Sequence, residues 1–166
     1  VEKIAHGKPT MLGAATGAVV GLVAITPGAG FVPIWSSIII GALVSPICYT
    51  FMGFVKNKFG YDDSLDAFGC HGIGGVWGGI ATGLFTQTSI NSGAEWNGLF
   101  FGDYRLFVAQ VLSIVITAVF AGVLTYIILK VIGLFMNIRV EASEEADGLD
   151  IAEHGESAYP AFTGLD

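Results

Sequence analysis

One ionisable side chain stands inside an otherwise uncharged, glycine-rich apolar stretch. His71 follows Asp66 and is flanked by Cys70 and Gly72. An ionisable group at membrane depth is costly, so such a residue usually faces a cavity or a partner. A neutral imidazole offers one hydrogen-bond donor and one acceptor, which suits a pore or a proton relay. The alternative is a neutral, hydrogen-bonded histidine packed inside a helical bundle, and the residue type alone leaves both interpretations open.

The surroundings of His71 favour neither a metal site nor catalysis. No second histidine, cysteine or carboxylate stands one helical turn beyond it, where a second metal ligand on the same helix face would lie. No serine–histidine–aspartate set and no pair of carboxylates stands out either. We therefore predict no metal, no cofactor and no enzymatic activity.

Asp66 lies just before the apolar stretch that contains His71. A carboxylate there can accept hydrogen bonds from the free backbone N–H groups at the start of a helix, where the helix dipole also favours it. We predict this capping role first. Attraction of a cation at the mouth of a pore is the second interpretation.

The elements that must position these residues are membrane helices. Of the 166 residues, 53% are hydrophobic and only 13% are charged, whereas soluble domains average about 25% charged residues. This composition excludes an ordinary soluble enzyme, a nucleic-acid binder and a disordered chain. Because a membrane helix needs about 20 apolar residues, we predict an all-α membrane protein. Its four transmembrane helices are placed at about 10–25, 33–55, 67–86 and 106–135.

Proline and glycine residues organise these helices. Pro27 and the glycines beside it break the first long apolar stretch into two helices. Glycine also recurs at four-residue spacing in two of the predicted helices, which lets neighbouring backbones approach closely in a membrane bundle. The two sets are Gly13, Gly17, Gly21 and Gly75, Gly79, Gly83.

The charges separate a membrane part from a tail. Residues 1–139 form the predicted membrane domain fragment and 140–166 an acidic tail; Arg139 and the eight carboxylates of the tail together account for the net charge of −7. If the four helices alternate in direction, six basic residues share one side with both chain ends, and Arg105 lies opposite. By the positive-inside rule, both ends are cytoplasmic. The tail is expected to be solvated and partly disordered, with docking onto a partner as the alternative.

Three ordered motifs resemble the ammonium transporter family (Amt/Mep/Rh). The run Asp62–Gly78, with sequence DDSLDAFGCHGIGGVWG, is similar to the family signature. Residues 7–27 resemble the segment that precedes this signature in the family. Residues 148–159, with sequence GLDIAEHGESAY, resemble its cytoplasmic regulatory tail. The similarity extends over essentially the whole chain.

The resemblance implies a fold and a pore. Members are homotrimers of inverted-repeat bundles of about eleven helices, each with a narrow apolar pore. Ammonium is recruited at the outer mouth, loses its proton and crosses mainly as ammonia. His71 matches the second of two pore histidines, and Asp66 and Ala67 match positions near the cytoplasmic end of the pore. Thr16 would contact substrate there, and Thr26 would lie at the break between helices.

The resemblance also gives expectations for the tail and for the extent of the chain. Plant members carry a phosphorylatable threonine where this chain has Ala152, so that switch is expected to be absent. A nitrogen regulator of the PII class is a possible partner. The tail residues that match the family are Gly148, Asp150, His154, Gly155 and Tyr159.

The chain is expected to be the C-terminal piece of a cell-membrane transporter, unable to conduct without the remaining N-terminal part. Two alternative functions stay open. One is an ammonium sensor that signals through its tail, and the other is a transporter of a different small solute.

Overall fold

The computed structural model describes residues 1–157, whose helices are joined by turns and loops and which contain no strand. The α-helices are α1 (Glu2–His6), α2 (Met11–Ile25), α3 (Ile34–Phe59), α4 (Gly74–Phe85), α5 (Arg105–Ile132), α6 (Ala142–Asp147) and α7 (Leu149–His154). Short 3-10 turns cover Thr26–Gly28 and Leu99–Phe101, and a π-helical stretch, here called the π segment, covers Phe68–Ile73. The predicted all-α class is confirmed.

The helix ends follow local chemistry. Thr10 begins α2, with its hydroxyl accepting a hydrogen bond from the Gly13 N–H at 2.9 Å. The break after α2 is the 3-10 turn that contains Pro27. α3 passes the predicted end at residue 55 and stops at Gly60, whose φ of 57° is left-handed. Its last turn contains Lys56 and Lys58, which do not end the helix because positive charges there complement the helix dipole.

Three helical stretches are long and apolar enough to cross a membrane: Met11–Gly28, Ile34–Phe59 and Arg105–Ile132. The third predicted span, 67–86, is built differently. Its first six residues form the π segment, and only twelve residues form the α-helix α4. Because the α-helical part is so short, this run is not among the three. The predicted fourth helix at 106–135 corresponds to α5, which ends at Ile132.

The chain divides into two compact units, Val1–Ala118 and Val119–Asp166. In the first, a core of mostly small apolar side chains joins α2, α3 and α4, with Val20, Ala24, Ile40, Val44 and Ala81 among its buried members. Burial of this kind in a glycine-rich bundle requires close backbone approach rather than large side chains.

The glycines of α4 allow two neighbouring helices, α2 and α5, to pack closely against it. A Cβ at Gly78 would lie 2.5 Å from the Ala24 carbonyl oxygen of α2, and a Cβ at Gly83 would lie 2.8 Å from the Phe107 Cα of α5. The predicted packing role is therefore confirmed for Gly79 and Gly83 but not for Gly75, whose Cβ position has no atom of the described residues within 4 Å. Gly17 and Gly21 of α2 likewise have no atom of the described residues within 4 Å of a Cβ position.

The described part of the acidic tail is helical rather than disordered over α6 and α7. A capping box begins α6. The Glu141 carboxylate accepts a hydrogen bond from the backbone N–H of Glu144, and the Glu144 carboxylate accepts one from the backbone N–H of Glu141. Arg139 pairs with Glu145 at 3.4 Å. Within residues 140–157 every side chain is exposed or half-buried, which agrees with the expected solvated character.

Candidate functional site

His71 lies in the middle of the π segment, with its side chain exposed. Among residues 1–157, no hydrogen bond or ion pair joins the imidazole to another residue. The interpretation of His71 as a histidine satisfied by its own bundle therefore finds no support in this chain. π-helical turns are rare and are found frequently at functional sites.

Asp63, and not Asp66, caps the π segment. The Asp63 carboxylate accepts hydrogen bonds from the backbone N–H groups of Ala67 and Phe68, each at 2.9 Å. The bond from Phe68 is the main reason that the pKa of Asp63 lies below its ordinary value, with the Ala67 bond and Lys56 adding to it and burial opposing. The prediction that the Asp66 side chain caps this helix is wrong.

Asp66 makes a different contact. Its carboxylate pairs with the Lys56 ammonium group at the end of α3, while its carbonyl accepts the Cys70 N–H at 2.9 Å. Its φ of 55° places the backbone in the left-handed region, which aspartate tolerates better than most residues. This backbone turn directs the carboxylate away from the start of the segment and toward α3.

The structure brings two of the predicted site residues to one cavity. Thr16 and Asp66 both line a cavity of about 400 Å³ between α2 and α3, together with Cys48, Tyr49 and Met52. A threonine hydroxyl and a carboxylate on one cavity can accept hydrogen bonds from a small cation or amine.

The remaining predicted residues lie elsewhere. Ala67 lines a second, more open pocket of about 520 Å³ together with Asp63 and Phe68. Neither pocket includes His71 or Thr26. The Thr26 hydroxyl donates to the Leu22 carbonyl at 2.6 Å, at the break between α2 and the 3-10 turn. Its hydroxyl proton is therefore used within its own helix.

Sequence reasoning missed the N-terminal border of the cavity. The Glu2 carboxylate accepts hydrogen bonds from the backbone N–H and the hydroxyl of Thr10, each at 2.8 Å. These bonds, the backbone one first, lower the pKa of Glu2 below its ordinary value. The Tyr49 hydroxyl lies 2.7 Å from His6 Nε2. Neither pair has a spacing that a sequence pattern would single out.

The predicted tail residues mark the turns around α7. Gly148 and Gly155 have φ values of 98° and 65°, respectively, in the range that favours glycine. Asp150 and His154 lie in the first and last turns of α7. Tyr159 lies outside the described residues. In the described residues, no group of three or more histidine, cysteine, aspartate or glutamate side chains could hold a metal ion.

Long apolar helices, glycine-mediated contacts and, in the third apolar segment, a histidine without a partner among residues 1–157 define a polytopic helical membrane protein. The model of the Ammonium Transporter Family matches residues 1–159. The chain belongs to this family, which confirms the resemblance found in its motifs.

Individual relatives that are named as ammonium transporters support this family membership. An ammonium transporter of Bacillus subtilis is 55% identical over 159 residues, covering 96% of this chain and 39% of the relative. The ammonium transporter Amt1 of Archaeoglobus fulgidus is 42% identical over 154 residues, covering 92% and 38%. The chain thus spans about two fifths of the length of these relatives.

Solved structures show the same similarity in three dimensions. The crystal structure of Saccharomyces cerevisiae Mep2 matches with a TM-score of 0.77 and 30% identity, covering 86% of this chain and 33% of Mep2. Candida albicans Mep2 matches with a TM-score of 0.76 and 32% identity, covering 86% and 32%.

Proposed function

We propose that this chain forms the C-terminal part of an ammonium transporter that conducts ammonia or ammonium across the cell membrane through an apolar pore lined by His71. The family membership and the relatives named as ammonium transporters support the substrate. The observation that carries the pore role is the exposed His71 imidazole, which finds no partner among residues 1–157. An imidazole left unsatisfied at membrane depth calls for a polar occupant.

The physical cost of moving a charge favours ammonia as the species that passes His71. The idealised cost of moving an ammonium-sized ion into a medium of low dielectric constant is on the order of 20 kcal/mol. Neutral ammonia avoids most of that cost, and a neutral imidazole can exchange a donated and an accepted hydrogen bond with it. An apolar pore also excludes water and hydrated ions.

The pore is completed by a preceding region of the same protein. Inverted-repeat transporters build the substrate path between two halves, and the exposed side of His71 is the side on which a second pore histidine would lie. Thr16 and Asp66 on their shared cavity, with Ala67 beside them, would form the cytoplasmic end of the path. Thr26 would hold the break in the helix that borders it.

The acidic tail gives the transporter a regulatory element on the cytoplasmic side. The glycine-bounded helix α7, with Asp150 and His154 exposed or half-buried, offers a short structured surface. In a homotrimer this surface could contact a neighbouring subunit or a nitrogen regulator of the PII class. Its acidic charge suits a basic docking site.

The test is ammonium uptake by the complete transporter in cells that lack other ammonium transporters. His71→Ala is expected to lower uptake about tenfold or more, because a lost hydrogen-bond partner in a dry site costs about 1–3 kcal/mol. The matched control is Val76→Ala, which shortens a side chain 38% exposed in the same apolar run. Native uptake and native ammonium selectivity in His71→Ala, at normal membrane abundance, would rule out the pore role.

A further inference from the structure

The π segment determines where the imidazole of His71 points. In an α-helix each N–H bonds the carbonyl four residues earlier, whereas here the Gly74 N–H is shared between the carbonyl of Gly69, five residues earlier, and that of His71. The wider turn changes the direction of every side chain within it, including His71. Because such turns are rare, the surroundings must hold this one in place.

α3 contacts the π segment at Gly69, a residue that has no side chain. Gly69 is buried, and the atoms nearest to its missing Cβ are the Cγ and Sδ atoms of Met52. A methyl group at Gly69 would occupy the same space as the Met52 thioether. Met52 is half-buried against the hydrophobic core and also borders the cavity of about 400 Å³. Because the contact includes its Cγ as well as its Sδ, the whole Met52 side chain would have to change rotamer to make room.

Other glycines of the same run lack this contact. Among the described residues, a Cβ at Gly72 would meet only the Phe68 ring of the π segment itself, and a Cβ at Gly75 would meet no atom within 4 Å. Gly69 therefore differs from Gly72 and Gly75 in receiving a side chain from another helix, and from Gly74 in how close that side chain comes, since Val23 and Cys48 lie at ordinary contact distances of 3.4 Å and 3.9 Å from a Cβ at Gly74. It is also the carbonyl acceptor that closes the turn around His71.

We infer that Met52 and Gly69 form a seat that holds the π segment against α3 and so orients His71 in the pore; this inference rests on the proposed role of His71. Met52 and Gly69 are positioning residues, since they act through His71 rather than on the substrate. A side chain at Gly69 displaces the π segment from α3, and the imidazole of His71 then no longer points into the pore. Removal of the Met52 side chain makes room for that side chain.

The experiment measures ammonium uptake and membrane abundance for variants of the complete transporter. Gly69→Ala is expected to lower uptake per molecule about tenfold, since misplacing a reactive group by about 1 Å can cost up to about 100-fold. The matched control Gly75→Ala is expected to stay within about twofold of the wild type, because no atom of the described residues lies within 4 Å of its Cβ position. The double variant Met52→Ala/Gly69→Ala is expected to recover most of the loss. If the double variant is as impaired as Gly69→Ala, the inference that Met52 and Gly69 together orient His71 is overturned.

A second comparison separates this inference from the proposed function. In a His71→Ala background, where no imidazole is left to orient, Gly69→Ala is expected to change the remaining uptake less than about twofold, because residues that act as one unit are not additive. An equal fold-loss in both backgrounds would overturn the inference and leave the pore role standing. Full uptake in His71→Ala would instead remove the pore role itself.

A third variant covers the case in which Gly69→Ala does not reach the membrane. Met52→Ala leaves a gap beneath the π segment and is expected to lower uptake about threefold, because the loosened turn no longer holds one orientation. Met11→Ala is the control, since Met11 is 90% exposed. Unchanged uptake in Met52→Ala would overturn the inference.

Discussion

The helices α4 and α5 are both apolar, yet they are built for different surroundings. α4 has twelve residues, of which seven are buried, and four of those seven are glycines. α5 has 28 residues, rich in valine, isoleucine and leucine, and none of them is buried in this chain. Hydropathy alone does not distinguish the two helices.

The difference lies in which part of each helix makes contact. α4 offers bare backbone, so that α2 and α5 can approach it closely through Gly78 and Gly83. α5 offers branched side chains such as Ile114, which reaches over Gly79. In a membrane, where lipid is as apolar as leucine, close packing rather than burial of apolar area holds helices together. α4 is therefore the packing centre of the first unit, and it directly continues the π segment that carries His71.

The largest expected effect comes from filling a glycine contact on α4. In Gly78→Ala the new Cβ would lie 2.5 Å from the Ala24 carbonyl oxygen, and this backbone atom can move only with its helix. We expect a loss of up to about 3 kcal/mol in the free energy of unfolding. Thermal unfolding of the purified protein in detergent measures it.

Gly122→Ala on α5 is the matched control, since no described atom lies within 4 Å of its Cβ position. This substitution should leave stability unchanged or raise it by about 0.5–1 kcal/mol, because alanine is the better helix former. Equal losses in the two variants would contradict the contrast between the helices.

A smaller effect is expected from the hydrogen bond that ties α4 to α3. The Trp77 indole N–H donates to the Ile40 carbonyl at 3.0 Å. Trp77→Phe removes this donor and some apolar area, so we expect a loss of about 1–2 kcal/mol in unfolding free energy. Trp35→Phe serves as the comparison, because Trp35 is 50% exposed and its edge contact with Phe85 needs only an aromatic ring. A Trp35 variant that loses more stability than the Trp77 variant would argue against this link.

Much of the fold was predictable from the sequence because its main determinants are local. The uncharged runs located the long helices, and Pro27 located the break after α2. The π segment was not predictable in this way. Hydropathy reports which residues avoid water, whereas the Gly69–Gly74 hydrogen bond depends on how Met52 fits against the turn. That fit involves residues far apart in the sequence.

The candidate site was predictable in part, for the same reason. His71 stood out because an ionisable residue in an apolar run is rare. The cap was assigned to Asp66 because Asp66 is nearest to the helix, but its left-handed backbone sends the carboxylate to Lys56 and leaves the cap to Asp63. The shared cavity of Thr16 and Asp66 depends on the packing of α2 against α3, which no local pattern encodes.

The smallest expected effect concerns the carboxylates before the π segment and before α5. Asp63 bonds the Phe68 and Ala67 N–H groups, whereas Asp103 bonds the side chain and the N–H of Arg105. Both pKa values lie below the ordinary 3.8, so each carboxylate adds stability that is present above that value. This contribution disappears as the pH falls through the lowered pKa of the folded state.

Asp63→Asn and Asp103→Asn should each lower the melting temperature at neutral pH slightly and flatten its fall between about pH 5 and about pH 2.5, because asparagine can still accept a hydrogen bond but carries no charge that titrates. The dependence of melting temperature on salt concentration distinguishes the two sites. The Asp103–Arg105 pair is an exposed ion pair and should weaken as salt screens it, whereas the Asp63 cap consists of bonds to backbone N–H groups and should persist. Melting curves at low and high ionic strength measure this difference. If salt removes the acid-dependent contribution of Asp63 as fully as that of Asp103, then Asp63 acts through the charge of Lys56, and the start of the π segment is held by an ion pair rather than by its cap.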